Sequence, residues 1–216
     1  MTIPTAPAIV DGGPRTGAGA AGALVAAGAL LVLYPALRPW SDATPAGAPA
    51  AFASPAWIPA HLAAVAGFVL VGFALFHSST GRLTRIAASL WAAGTALVLP
   101  YYGAEAFALH AIGERIMRTG DTELLEAVEA TRMGVWQVAT FASGLLLLAA
   151  AGVLVAAAVA RTRALPSWAG VPFALAFALY LPQFFGSPAL RIAHGVLVAV
   201  GCLVLAAAIR RAAAPR

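Results

Sequence analysis

The sequence predicts an all-α integral membrane bundle of six transmembrane helices with both termini cytoplasmic, and three observations carry that reading. Of 216 residues, 62% are hydrophobic and 10% charged, with mean hydropathy +0.89, whereas a soluble domain has about 45–50% apolar and about 25% charged residues. The apolar residues gather into six stretches of about 20, the length that crosses a hydrocarbon core of about 30 Å. The 13 basic residues are all arginine and fall singly or in pairs between those stretches. This composition excludes a soluble globular enzyme. Glycine and proline are scattered among apolar runs, which also excludes a disordered or collagen-like chain. The net charge of +5 reads as positive-inside anchoring. A nucleic-acid partner is not expected, because phosphate binding needs clustered cations.

Residues 1–16, with three Pro and two Gly, read as a disordered cytoplasmic tail. The spans follow at 17–37, 57–77, 86–112, 134–160, 165–185 and 188–209, and residues 210–216 form a basic cytoplasmic tail. The third span is interrupted by Pro100, Glu105 and His110, while the fourth is nearly pure Ala, Leu, Val and Gly after Gln137. With the N-terminus inside, the inner side holds Arg15, Arg82, Arg85, Arg161, Arg163, Arg210, Arg211 and Arg216. The outer side holds Arg38, Arg115, Arg118, Arg132 and Arg191, so the excess lies inside. The expected location is the cell membrane as a multi-pass protein, and abundant Ala and Arg without Lys points to the inner membrane of a high-GC bacterium.

The first span is read as retained. Its apolar core of about 20 residues exceeds the 7–15 of a signal-peptide core, and the Ala-x-Ala patterns at 46–53 lie far beyond it. In the loop 113–133, Asp121 is placed to cap a short surface helix with Leu124, Leu125 and Val128 on one face, a plain solvated connector being the alternative. Cys202 stands alone, so no intramolecular disulfide, CxxC pair or haem-attachment motif exists and no metal site is expected.

Outward-running spans end alike, at Tyr34-Pro35, Pro100-Tyr101-Tyr102 and Tyr180 with Pro182, and inward-running ones begin with His61, Gln137 and His194. A duplicated helical hairpin would produce this pattern, as would the ordinary preference of Tyr and Pro for helix ends near the interface. Gly22 with Ala26, Gly152 with Ala156, and Gly195 with Ala199 are small-residue pairs that allow close helix approach.

The polar side chains at membrane depth gather in the outer half. Glu105 is the sharpest of them, since a carboxylate facing lipid is costly and one turned inward needs a cation or a proton. It is the candidate catalytic acid or base, with Arg191 and His194, i and i+3 on the last span, as partners, and a Glu105–Arg191 ion pair as the simplest closure. Tyr101, Tyr102, His61, His110, Gln137 and Gln183 are the candidate ligand-binding residues. The expected pocket is lined by Tyr101, Tyr102, Glu105, Gln183, Arg191 and His194, beside helix breaks at Pro100 and Pro182. Besides the lipid bilayer, the expected partner is a small or lipid-like ligand. An enzyme acting on an apolar, terpene-like substrate, a transporter and a non-catalytic scaffold stay open. No cofactor is expected, with a b-type haem between His61 and His194 as the alternative.

The stretches Leu99-Pro100-Tyr101-Tyr102-Gly103-Ala104-Glu105-Ala106-Phe107, Leu181-Pro182-Gln183-Phe184-Phe185-Gly186 and Arg191-Ile192-Ala193-His194-Gly195 resemble a group of uncharacterised actinobacterial multi-pass membrane proteins of unknown function. The resemblance covers most of the chain, implies the same topology and adds no function.

Overall fold

The computed structural model describes residues 14–162 and 165–213. The sequence-predicted tail thus lies outside the described residues as far as residue 13, as do the last three residues of the basic tail. All regular structure among the described residues is helical. Helix α1 spans Pro14–Leu37, α2 Ala48–Phe52, α3 Trp57–His77, α4 Arg82–Gly103, α5 Leu109–Thr119, α6 Leu125–Met133, α7 Val135–Arg161, α8 Val171–Ala178 and α9 Pro188–Ala213.

Five of the six predicted spans are continuous helices long and apolar enough to cross a membrane, so the chain is a multi-pass membrane protein. The third runs longer than the hydropathy suggests, as one rod from Arg82 to Thr119. Pro100 lies inside α4 without breaking it, and a π-helical turn over Ala104–Ala108 joins α4 to α5. Polar residues such as Glu105 and Glu114 end a hydropathy window, yet a helix continues through them wherever its hydrogen bonds continue.

The predicted span 165–185 needs correction. Its regular helix is α8 alone, eight residues or about 12 Å at 1.5 Å per residue, between turns at 167–170 and 179–181 and a 3₁₀ turn over Pro182–Phe185. Pro166, Pro172 and Pro182 explain the brevity, since each lacks the N–H that a continuing helix requires. The segment still runs alongside its neighbours in the bundle. Ala156 packs on Gly170 and Ala174 on Gly152, which sets α8 antiparallel to α7, and α9 flanks it on the other side.

Each crossing packs on its sequence neighbours, and α9 returns to α1, closing a ring in the order α1, α3, α4, α7, α8, α9. Gly28 meets Ala199 and Cys202 while Gly195 meets Val32 and Pro35, so α1 and α9 are antiparallel and the start of one adjoins the end of the other. Of the predicted small-residue pairs, Gly152 and Gly195 sit at such close crossings, and Gly22 has nothing within 4 Å. The axis of the ring is filled by Phe68, Trp91, Phe173 and Phe177, all fully buried in edge and tilted ring contacts of 4.6–6.5 Å, an arrangement that suits aromatic quadrupoles.

The two ends of the ring differ. At one end exposed Arg82, Arg85, Arg161, Arg210 and Arg211 surround short connections. The other end is capped by the 38–56 connection, which contains α2, and by α5 and α6. Phe52, Trp57, Leu109 and Val128 form a small core of their own under this cap. Gly120, at φ +74°, ends α5, and Asp121 Oδ1 accepts the Glu123 N–H to start the turn into α6. The surface helix expected after Asp121 is α6.

Candidate functional site

Between the ring and its cap lies a cavity of about 300 Å³. One wall is charged and the other aromatic. Glu105 reaches it from the π-helical turn, whose altered hydrogen bonding leaves a backbone carbonyl accessible to a partner. Trp57 Nε1 donates to the Glu105 carbonyl at 2.6 Å, fixing that turn against α3. The Glu105 side chain, 10% exposed, accepts from Arg132 through both oxygens, Nε to Oε1 at 2.7 Å and Nη2 to Oε2 at 2.9 Å.

Arg132 also donates from Nη2 to Asp42 Oδ2 at 3.1 Å, and Asp42 in turn accepts from both Nη atoms of Arg38. The result is an alternating row, Glu105–Arg132–Asp42–Arg38, in which each charge has an opposite neighbour. Burial works against the Arg132 charge, but Glu105 and then Asp42 outweigh it, so its pKa stands above the ordinary arginine value. Aromatic faces complete the row. The Arg38 guanidinium lies 4.5 Å from the Trp40 ring centre and 4.8 Å from that of Trp57, and Arg132 lies 4.9 Å from Phe52, distances at which ring quadrupoles attract cations.

Arg191 enters from the first turns of α9. The sequence suggests it as partner to Glu105. Instead its Nε donates to Gln183 Oε1 at 3.3 Å, and its guanidinium sits 4.7 Å from Trp40 and 4.8 Å from Phe184. Glu105 takes the nearer cation, from the cap. The aromatic wall is built by Tyr101 stacked on Phe141 at 4.2 Å and by Phe141 against Phe184 at 5.4 Å.

Among the residues expected in the pocket, Tyr101, Tyr102, Glu105 and Arg191 line the cavity. Gln183 and His194 stand behind it. Gln183 is buried and steers Arg191, while His194 Nε2 donates to the Ala176 carbonyl at 2.8 Å, satisfying a backbone group near the end of the short α8. His61 is fully buried beside the row. Its Nδ1 donates to the Trp57 carbonyl at 2.7 Å, and its Nε2 lies 3.7 Å from Glu105 Oε2, long for a hydrogen bond. His110 pins α5 to α2 through the Phe52 carbonyl at 2.7 Å, outside the cavity, and Gln137 is exposed on the first turn of α7.

His61 and His194, read as alternative haem ligands, each have a tyrosine ring beside them. The Tyr102 ring centre lies 6.2 Å from that of His61 and the Tyr180 ring centre 5.1 Å from that of His194, and the two tyrosine hydroxyls are 3.3 Å apart. Arg38, Asp42 and Arg132, together with Trp40 and Trp57, belong to the site without having been read as site residues. The usable signal is slight: Arg38 and Asp42 stand four apart just beyond the first span, with Trp40 between them.

No family model, curated protein or solved structure matches the chain.

Proposed function

We propose that this membrane protein sits in a bacterial inner membrane with the capped end outside, and that the cavity beneath the cap binds a small or lipid-like ligand. The cavity itself carries the reading. At about 300 Å³ it falls at the lower end of small-ligand sites, and it combines a few fixed polar groups with an aromatic wall, as such sites do. The orientation rests on the exposed arginines around the uncapped end and the positive-inside rule.

Geometry favours binding over the alternatives. A proton-donor role for Glu105 in an enzyme requires its bidentate bond to Arg132 to open, and no feature of the site assists that opening. A transport path would have to pass the aromatic plug of Phe68, Trp91, Phe173 and Phe177.

Protein purified in mild detergent should carry a bound molecule visible by native mass spectrometry. Ala43→Trp, which fills the cavity from an exposed position, should lose it while keeping the fold. The same load in both proteins would remove the cavity as its location. A wild type without load, together with a variant of unchanged stability, would favour a scaffold.

A further inference from the structure

The cavity wall holds three guanidiniums, Arg38, Arg132 and Arg191, and two carboxylates, Asp42 and Glu105. Both carboxylates are taken by Arg38 and Arg132. Arg191 is left without a carboxylate partner among the described residues, although it is half-buried in a membrane-embedded bundle, where an unpaired cation is unfavourable.

The setting of Arg191 is also specific. Its planar group is held against Trp40 and Phe184, which restrict the plane, and its Nε edge is engaged by buried Gln183. Only the Nη edge has no acceptor among the described residues. A guanidinium held in this way presents two parallel N–H donors, the fork that matches two oxygens of one oxyanion. The start of α9, capped by the Ser187 hydroxyl at the Leu190 N–H, adds the positive end of a 26-residue helix beside the same point.

The cavity is also lined by apolar side chains, Met133, Phe141 and Phe184, the last of them already against Arg191. One residue after Phe184 and three after Met133, Phe185 is 89% exposed and Trp136 81% exposed, as side chains that meet lipid would be.

Building on the reading of this cavity as a ligand site, we propose that Arg191 anchors an anionic phosphoryl group. The apolar part of the ligand lies along Phe141 and Phe184. A phospholipid headgroup and a soluble phosphoryl compound share this chemistry, and the test separates them.

The full chain in an uncharged maltoside detergent is titrated calorimetrically with dioctanoyl-phosphatidylglycerol, dioctanoyl-glycerol and inorganic phosphate. The phospholipid should bind saturably with one site per chain, and dioctanoyl-glycerol at least about tenfold more weakly. Arg191→Gln should weaken the phospholipid about 10- to 100-fold, the usual span for a charge-assisted pair. Arg191→Lys, which keeps the charge and loses the fork, should fall between and decides the matter should Arg191→Gln not fold. Arg118→Gln, on the exposed side of α5, should bind as wild type does. Inorganic phosphate binding as tightly as the lipid, with the same dependence on Arg191, identifies a soluble phosphoryl ligand and upholds the anchor. Equal binding of the phospholipid and dioctanoyl-glycerol, or undiminished phospholipid binding by both Arg191 variants, overturns the anchor and leaves the cavity reading intact. Failure of every probe to bind, with Ala43→Trp also carrying the wild-type load, overturns both.

Discussion

Glu105 shows how a buried carboxylate is tolerated in a membrane bundle: two short bonds from one guanidinium, with a second carboxylate sharing the Nη2 of that guanidinium. Removing one partner of such a pair is far more costly than the pair is worth, because the survivor keeps its desolvation penalty. Arg132→Gln should therefore destabilise the protein by about 3 kcal/mol. Glu105→Gln should cost less, because Arg132 retains Asp42. Thermal unfolding in detergent checks the order, and a Glu105→Gln midpoint below that of Arg132→Gln would contradict it. The sequence marks Glu105 through its cost alone. Its cation is not legible because Arg132 stands 27 positions later in a connection rich in acids, where the usual meaning of an arginine is a solvated one, while Arg191 lies within an apolar span and reads as the buried cation.

Helix α4 combines two local features at one end and a close crossing at the other. Pro100 and the π-helical turn release backbone groups near Glu105, and lower down α4 meets α7 almost backbone to backbone. A Cβ on Gly94 would lie 2.8 Å from the Gly144 carbonyl oxygen and 3.0 Å from Leu148 Cδ2. Gly94→Ala should thus lower stability by about 1–3 kcal/mol, as overpacking does. Gly103→Ala, with nothing within 4 Å, should be neutral or stabilising by up to about 1 kcal/mol through helix propensity. Unfolding midpoints of the two variants should move in different directions or by clearly different amounts, and equal losses would contradict the crossing. Hydropathy reveals such elements well, since an apolar run of 20 is a local property. It cannot report that α4 continues into α5 through Glu105, nor how far the helix in the apolar segment 165–185 is interrupted around its three prolines. Hydrogen-bond continuity is invisible to composition.

At the scale of the molecule, six crossings in a closed ring place both ends of the described chain on one side, opposite the cap. Thr80 and Thr122 lie on opposite sides of the ring and are both exposed, whereas the natural Cys202 is buried, so single cysteines at 80 and 122 can be labelled without removing it. A membrane-impermeant maleimide added to intact cells should label Thr122→Cys and spare Thr80→Cys, and the reverse pattern would invert the proposed orientation. The short α8 bears on how such a ring comes into being. Its flanking turns leave backbone polar groups that hydrocarbon cannot satisfy, and irregular backbone at that depth is tolerated only against protein. Part of that protein is α9, whose His194 takes the Ala176 carbonyl. The backbone of the fifth segment is thus satisfied in part by a helix the ribosome has not yet made when residue 185 emerges. A chain truncated after Ser187 should hold a reporter at that residue on the cytoplasmic side, and only synthesis of the remaining residues should carry it across.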